Sequence, residues 1–374
     1  MKGTMVYVTS DDVLSETSGV KKKIDAQVAA FKALGFDTAV TASGKNQVIV
    51  IKNGSVIRSF KKYRFFPRRI LTAINTISYL RKKPVTLVYL RFSQATILTR
   101  LYYKMLKKYS KNLVVELPTY PFPHYTGIKG LVFKSEAWCK RYLKKYIDRI
   151  VYVGTKQDNI FGIYSVQIPN GISDESSYGE RKYVPSKCIR LIAVSAMFPH
   201  HGYERIINSI VNYYKEKKDR EEVILTLIGT GEEYSKYEQL IKEYNLEERV
   251  FLRGSLAGKA LDEEYNNADI GIASMNIDFC EEVSTLKAKE YLQRGIPFIY
   301  ITPEIGLPEK FPYAKKLSCG KYNPIDFNEI VNFAKKIKAE DSRRVEKEMK
   351  DFAIENYSWK TILDSSLGDM INEI

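Results

Sequence analysis

Apolar and polar positions alternate in two rhythms along this chain. Short apolar runs, which are typical of buried strands, are separated by stretches in which apolar residues recur at helical spacing. The predicted strands are 5–9, 38–41, 86–90, 113–116, 149–153 and 165–168, then 189–194, 223–228, 250–252, 270–273 and 298–301. Because strands that alternate with helices usually pair in parallel, the pattern predicts an α/β fold with helices on both faces of parallel sheets.

Two segments interrupt this rhythm. The stretch VIVIKNGSVIRSF, residues 48–60, places Asn53 and Gly54 between two apolar runs and predicts a β-hairpin at a sheet edge. Residues 169–187 are polar and rich in turn formers, as expected of a linker between domains. We therefore predict two Rossmann-like doubly wound domains and a C-terminal helix that crosses back onto the first. The predicted bounds of these three parts are 1–170, 171–345 and 346–374.

The composition is that of a globular protein. Of 374 residues, 44% are hydrophobic and 28% charged, and no apolar run reaches the roughly 18 residues that a membrane-spanning helix needs. The N-terminus enters the strand-like MVYVTS without an apolar signal region, so we expect a cytoplasmic protein. The wide separation of the four cysteines, Cys139, Cys188, Cys280 and Cys319, argues against a zinc site and a disulfide framework.

Charge divides the chain into two parts. Residues 1–170 hold 30 Lys and Arg against 9 Asp and Glu, whereas the remainder holds 29 against 35. Basic and aromatic residues are interleaved in 59–83, and further basic segments occupy 100–111 and 134–146. This pattern favours an anionic membrane surface as a partner of the first domain. A solvated lysine-rich face is the alternative, and nucleic acid is the weakest of the three interpretations.

Several loops between a predicted strand and a predicted helix carry glycine. Gly19 precedes a helix that should begin near residue 20, and Gly229 lies in LTLIGTG before another helix. Free N–H groups at the start of a helix attract anions, and glycine lets a phosphate approach the backbone closely. Neither loop has the G-x-G-x-x-G spacing of nicotinamide-binding folds, and ordinary connecting loops also contain such glycines.

Two other loops carry polar groups that suit a nucleotide. His200 and His201 stand at the predicted start of a helix, where an imidazole can donate to a phosphate oxygen, although two exposed loop histidines are equally compatible. They do not complete a metal site, because the only other histidine, His124, is far away in the sequence. Arg253 and Gly254 follow a predicted strand and could form a flat slot for a base.

The segment EEVSTLKAKEYLQRGIPF, residues 281–298, brings several candidate ligand-binding side chains close together in the sequence. A helix is predicted over 285–294, capped by Ser284 and ended by Gly295 and Pro297.

Three charged residues of this segment could hold a nucleotide sugar. The two oxygens of a carboxylate, at Glu282 or Glu290, can accept both hydrogens of a vicinal diol. Lys287 and the free amides of the first helical turn can bind a diphosphate. A solvated helix with a Lys–Glu pair is the alternative.

Taken in chain order, these pieces resemble a GT-B glycosyltransferase of the family-4 type. The pieces are SGVKKKIDAQVAAFKALGF, IPNGI, HGYERII, LTLIGTGEE, VFLRG, YNNADIGIA and EEVSTLKAKEYLQRGIPFI, which together span nearly the whole chain. The stretches ELPTYPF, HGYER and LKAKEYLQRGIPF are similar to those of bacterial capsule and exopolysaccharide transferases. The resemblance implies that the two domains face each other across a cleft.

The resemblance also implies a role for each matching position. Glu282 would face the donor sugar as a catalytic residue, Glu290 would bind the ribose hydroxyls, and Lys287 would stabilise the leaving diphosphate. The remaining donor-binding positions are Gly19, His201, Gly229, Arg253, Gly254, Ser284, Thr285 and Leu286.

Two features of the sequence qualify this assignment. Ala196 and His201 stand where the family usually carries Arg and Lys, so neutralisation of the diphosphate must depend on His201, Lys287 and helix dipoles. Glu116 and His124, in VVELPTYPFPHY, are the candidates for an assisting base; for both, a structural role is the alternative.

The function implied by the resemblance is a retaining, metal-independent transfer that needs no cofactor. A sugar would pass from a UDP- or GDP-linked donor to a glycan acceptor, such as a lipid-linked saccharide, in surface polysaccharide biosynthesis. The enzyme would be cytoplasmic and peripheral at the inner face of the cell membrane. A non-catalytic GT-B scaffold in a glycan assembly complex is the alternative, and a nucleic-acid-binding protein is a third.

Overall fold

The structure is a computed structural model that describes residues 2–15, 19–61, 68–92, 97–122, 140–173, 178–216, 220–273, 275, 281–320 and 323–372. The chain forms two compact units. The first consists of Met1–Glu175 and Ser358–Ile374, and the second of Ser176–Tyr357.

The first unit is built on one large sheet. Its strands are β1 Thr4–Asp12, β2 Asp37–Ser43, β3 Gln47–Lys52, β4 Ser55–Lys61, β5 Val85–Arg91, β6 Ser110–Tyr120, β7 Arg149–Gly154, β8 Asn159–Ile160 and β9 Ile163–Gln167. They lie in the order β4-β3-β2-β1-β5-β6-β7-β9-β8. The six strands from β2 to β9 in this order are parallel, and antiparallel strands close both edges.

The predicted hairpin lies at one edge of this sheet. Asn53 and Gly54 connect β3 to β4 and have φ angles of 52° and 77°, the positive values that a two-residue hairpin turn requires. Among the described residues of the first unit, the α-helices are Gly19–Ala33, Arg68–Lys82, Ile97–Lys108 and Trp359–Asn372, and a 3₁₀ turn occupies Leu143–Lys145.

The last of these helices returns from the C-terminus to the first unit. It packs against helix Gly19–Ala33, and the Trp359 N–H donates to the Ile172 carbonyl over 3.2 Å. Gly171 leaves room for this contact, because a Cβ there would lie 2.6 Å from the Trp359 ring. The return begins at Ser358 rather than at the predicted position 346.

Helix Ser342–Tyr357 explains this shift of the boundary. It packs on helix Leu286–Arg294 and therefore belongs to the second unit. At the contact, a Cβ on Gly295 would lie 2.6 Å from Glu346 Cα, so the two helices meet closely where Gly295 ends the shorter one.

The second unit has a parallel six-stranded sheet. Its strands are β10 Ile189–Val194, β11 Val223–Ile228, β12 Val250–Leu252, β13 Ile270–Ile272, β14 Phe298–Tyr300 and β15 Ala314–Lys316. Its α-helices are Tyr203–Glu216, Tyr234–Glu243, Gly258–Asn267, Leu286–Arg294, Phe327–Lys338 and Ser342–Tyr357, with a 3₁₀ turn at Pro199–His201. The strand order β12-β11-β10-β13-β14-β15 is that of a doubly wound sheet, whose winding reverses between β10 and β13.

These sheets and helices confirm the predicted α/β class with two Rossmann-like units. Within the described residues, none of the helices is long and apolar enough to span a bilayer.

Candidate functional site

Two loops of the second unit converge at the reversal point of its sheet. One follows β10 and carries Ser195 to Gly202, and the other follows β13 and leads into helix Leu286–Arg294. Open parallel sheets bind ligands at the carboxyl ends of the strands that flank such a point. The fold therefore places the histidine loop and the Glu282–Lys287 segment at the position where this architecture binds ligands.

Glycine makes the neighbouring loops fit together. Gly229, after β11, has a φ of 129°, and a Cβ there would lie 1.9 Å from the Ser195 carbonyl oxygen. Its N–H donates to the Gly254 carbonyl over 2.6 Å, which joins the loops after β11 and β12. Arg253 pairs with Glu264, with 3.2 Å from Nε to Oε1. The assignment of Arg253 and Gly254 to a base remains a prediction.

A hydrogen-bonded chain joins the histidine loop to Lys287. The Lys287 ammonium donates to the Tyr203 hydroxyl over 3.0 Å, and that hydroxyl lies 2.7 Å from Ser195 Oγ. Ser195 Oγ is in turn 3.3 Å from Nδ1 of His201, whose ring stacks on Tyr203. Tyr203 is completely buried, so its hydroxyl is a well-fixed acceptor for the Lys287 ammonium.

His201 is neutral in this environment. Burial, together with the nearby charges of Lys287 and His200, lowers its pKa from 6.5 to about 3. A neutral imidazole offers hydrogen-bond donation but no positive charge. The positive charge of this cluster is therefore that of Lys287, and the role of His201 beside a diphosphate remains a prediction.

The helix that follows Glu282 begins one residue later than predicted. Thr285, and not Ser284, is its N-cap, since its Oγ1 accepts from the Ala288 N–H over 3.2 Å. The helix spans Leu286–Arg294 and ends at Gly295, which has a φ of 62°. The Thr285 N–H donates to a carboxylate oxygen of Glu304 over 2.9 Å, so this amide is already occupied.

Glu290 lies on the same helix among aromatic rings. Its Oε1 accepts from Nε of Arg294 over 3.2 Å and from the Tyr178 hydroxyl over 3.4 Å. The Arg294 guanidinium is 3.9 Å from the ring centroid of Tyr178 and 4.1 Å from that of Tyr265. Glu282 lies before the helix and is partly buried.

In the first unit, Glu116 lies at the centre of a buried charge network. Its carboxylate is fully buried and lies 2.6 Å from the Lys23 ammonium and 3.2 Å from the Arg91 guanidinium. It also accepts from Gln27 and Tyr89 over 2.9 Å each.

This network opposes a catalytic role for Glu116. Burial alone would raise the pKa of its carboxyl, but Lys23 and Arg91 outweigh burial and lower it to about 2. A carboxylate of such low pKa is a poor proton acceptor at neutral pH, so the structural role is favoured over that of a base. Gly19 begins helix Gly19–Ala33, whereas His124 lies outside the described residues.

The sequence interpretation missed three residues that shape this site: Tyr203, Arg294 and Glu304. Tyr203 stands within the quoted HGYER motif, so its position beside a predicted helix start was a usable signal. The partners of Arg294 and Glu304 come from distant parts of the chain, so no local pattern indicated them.

Residues 180–352 match the family described as Glycosyl transferases group 1. The matched segment lies within the second unit and includes the loops and the helix described above. A search of curated proteins gave no match.

Solved structures with a similar fold cover the whole chain. A glycosyltransferase from Rickettsia africae ESF-5 is 15% identical over 99% of this chain and 98% of that one, with a TM-score of 0.66. The catalytic domain of Starch Synthase IV from Arabidopsis thaliana, bound to ADP and acarbose, is 10% identical over 99% of both chains, with a TM-score of 0.69. HepE from Anabaena, in complex with UDP and glucose, is 12% identical over 100% of both, with a TM-score of 0.64.

At these identities the similarity to the solved structures concerns the fold. The family match covers 173 of the 374 residues, all within the second unit, whereas the solved structures share the fold of the whole chain.

Proposed function

We propose that this protein transfers a sugar from a nucleotide diphosphate donor to a glycan acceptor, with retention of anomeric configuration and without a metal ion or cofactor. The observation that carries the proposal is the position of helix Leu286–Arg294. Its first turn and the preceding Glu282 lie at the reversal point of the sheet, within the segment that matches group 1 glycosyl transferases.

In this proposal each part of the donor has its own contact. Lys287 and the amides of the first turn bind the diphosphate, Glu290 binds the ribose diol, and Glu282 faces the sugar. The nucleobase of the donor lies beside Arg253 and Gly254. A UDP- or GDP-linked donor fits a ribose-binding carboxylate, and HepE, which shares the fold, has been solved with UDP and glucose.

The proposed step conserves all atoms of the two substrates. The oxygen of an acceptor hydroxyl forms a bond to the anomeric carbon on the face from which the diphosphate departs. The bond between that carbon and the phosphate oxygen breaks, and its electron pair stays with the diphosphate. The hydroxyl proton passes to the departing phosphate oxygen, while the Lys287 ammonium and helix amides stabilise the new negative charge.

Activity of two glutamate variants tests the proposal. A thermal-shift screen of UDP- and GDP-sugars first identifies the donor. With that donor, the variants Glu282→Ala and Glu290→Ala are expected to lose turnover. Glu247→Ala, which alters an exposed glutamate, is the control and should keep wild-type turnover. Wild-type turnover in both site variants would show that the donor site lies elsewhere. A protein that binds the donor and transfers nothing to any acceptor would be the non-catalytic scaffold.

We further propose that the first unit holds the enzyme on an anionic membrane, at the inner face of the cell membrane, where a lipid-linked acceptor is presented. Residues 38–115 contain seventeen Lys and Arg and no Asp or Glu. Each basic residue near an anionic bilayer contributes roughly 1 kcal/mol of attraction.

Apolar side chains accompany these charges. We call the following exposed residues the apolar surface set: Val56, Ile57 and Phe60 on β4, Ile70 and Ile74 on helix Arg68–Lys82, and Leu101 on helix Ile97–Lys108. Arg58 on β4 donates to Ser78 Oγ of helix Arg68–Lys82 over 2.9 Å. That helix also packs on helix Ile97–Lys108. Exposed apolar groups among cations suit the boundary between lipid headgroups and acyl chains.

Co-sedimentation with vesicles tests this association. We expect binding to phosphatidylcholine vesicles that contain phosphatidylglycerol, but not to phosphatidylcholine alone, and weaker binding at high salt. The double variant Ile74→Ser/Leu101→Ser should bind less. The matched control Val184→Ser/Ile354→Ser alters similarly exposed residues of the second unit, at 58% and 57%, and should bind as wild type does. Equal binding by both double variants would overturn the membrane proposal.

A further inference from the structure

A charged pair is buried beneath the loop that leads into helix Leu286–Arg294. The Lys289 ammonium lies 3.4 Å from Oε2 of Glu304, and their side chains are 3% and 0% exposed. The ammonium also lies 3.9 Å from the ring centroid of Tyr357. Removing two charges from water is costly, and apolar residues of the same size often stabilise a core equally well. The pair therefore calls for a role other than stability.

Glu304 uses both carboxylate oxygens on a single residue of the loop. Oε1 accepts from the Thr285 hydroxyl over 2.5 Å, and Oε2 accepts from the Thr285 N–H over 2.9 Å. Two bonds to one residue fix both its backbone and its side chain. The Lys289 ammonium donates to Oε2 over 3.4 Å, so the carboxylate is buried together with an opposite charge.

The backbone beside Glu304 holds the loop as well. The Val283 N–H donates to the Pro303 carbonyl over 2.8 Å, and the Ile305 N–H donates to the Val283 carbonyl over 2.7 Å. Val283 and Glu304 thus form a short parallel bridge. These four hydrogen bonds hold residues 283–285 against the loop after β14.

We infer that Glu304 is a positioning residue of the proposed donor site. Through these contacts, Glu304 orients the N–H groups of Leu286 and Lys287 towards the donor diphosphate. The inference rests on the proposed function.

The hydrogen bonds of the helix start support this. The Thr285 N–H is held by Glu304, and the Ala288 N–H is held by Thr285 Oγ1. Among the hydrogen bonds between described residues, those two amides are engaged, while the N–H groups of Leu286 and Lys287 have no acceptor. They lie between the two fixed amides, so their direction is set by the contacts that Glu304 makes.

The test compares affinity for a nucleoside diphosphate with affinity for the monophosphate, by calorimetry with UDP and UMP, or with GDP and GMP if the protein prefers guanine. Glu304→Gln replaces one accepting oxygen by a donor, and is expected to weaken diphosphate binding by about tenfold with little effect on the monophosphate. Glu309→Gln, an exposed glutamate of the same loop, is the matched control and should bind as wild type does.

A second variant separates positioning from folding. Lys289→Met/Glu304→Leu replaces the ion pair by apolar groups of similar size and should keep a near-wild-type denaturation midpoint. It should nevertheless lose the preference for the diphosphate. If this folded variant retains the wild-type ratio of the two affinities, the inference is wrong while the proposed function stands. If the wild type shows no preference for any diphosphate, both fail.

Discussion

Arg294 and Glu290, one turn apart on one helix, are joined by a hydrogen bond of 3.2 Å from Nε to Oε1. The guanidinium cannot turn away, because the rings of Tyr178 and Tyr265 enclose it and Asp262 binds Nη1 at 2.9 Å. One oxygen of Glu290 is thereby committed to the protein. In the proposed donor site, a ribose hydroxyl contacts the other oxygen.

We therefore expect Arg294→Met to reduce recognition of the ribose. With Arg294 removed, the Glu290 side chain can rotate, so binding of the ribonucleotide should weaken by roughly threefold to tenfold. Binding of the 2′-deoxy analogue should change much less. Calorimetric titration with both nucleotides measures this difference. Arg344→Met, which removes an exposed arginine that also pairs with glutamates one turn away, is the control and should leave both affinities unchanged.

The neutral state of His201 gives a prediction about pH. Its pKa is about 3 in the folded protein and 6.5 when unperturbed, so below pH 6.5 the unfolded chain takes up a proton that the folded chain does not. Neutral His201 therefore contributes stability that is fully present above pH 6.5 and is lost as pH falls towards 3.

Denaturant titrations at pH 7.5 and pH 4.5 check this sign. The free energy of unfolding of the wild type should fall more on acidification than that of His201→Gln, which has no imidazole to protonate. His200 is present in both proteins, so its own lowered pKa does not affect the comparison. An equal fall in both proteins would mean that His201 titrates normally in the fold.

The sequence predicted the sheets better than the site, for physical reasons. Strands β10, β11 and β12 begin and end where predicted, because largely buried strands are near-continuous apolar runs, interrupted here only by Arg190 and Thr226, between polar loops. Strand β15, Ala314–Lys316, was missed, since its sequence AKK has a single apolar residue and its pairing with β14 identifies it. The apolar pattern of the sequence therefore coincides with burial in β10, β11 and β12, but not in β15.

At the site, the sequence identified side chains but not their neighbours. Ser284 and Thr285 are both common caps by residue type, with serine slightly preferred, and Glu304, nineteen positions further on, engages Thr285. The ring of Tyr178 reaches Arg294 from within the predicted linker, and Glu116 is held by residues of helix Gly19–Ala33 and of strand β5. Such contacts depend on the tertiary fold, which a local pattern does not contain.

Two glycines near the site should respond differently to the same substitution. Gly229→Ala places a Cβ 1.9 Å from the Ser195 carbonyl oxygen at a φ of 129°, so the loops after β10 and β11 must separate. We expect a loss of about 3 kcal/mol or more in the free energy of unfolding. Gly254→Ala has a φ of 64° and open space around the new Cβ, so it should cost only about 1 kcal/mol. Chemical denaturation of both variants measures the difference, and equal losses would contradict the close approach at Gly229.

The charge network of the first unit leads to a prediction about stability. Glu116→Gln leaves the buried Lys23 without its counter-ion, and breaking a buried pair in this way costs about 3–5 kcal/mol. Asp11→Asn is the matched control, because Asp11 pairs over 2.8 Å with Arg91, which also pairs with Glu116, but Asp11 is 42% exposed. The substitution Asp11→Asn should reduce the free energy of unfolding by less than about 1 kcal/mol.

The pH dependence of the same variant provides an independent check. Glu116 has a pKa of about 2 when folded and 4.5 when unperturbed, so its ionised form contributes stability above pH 4.5 that is lost as pH falls towards 2. Denaturant titrations at pH 7 and pH 3 should therefore show a smaller acid loss for Glu116→Gln than for the wild type. If the variant is as stable as Asp11→Asn at pH 7 and loses as much stability as the wild type in acid, Glu116 is not the electrostatic centre of this unit. In that case its carboxylate becomes available again as an assisting base.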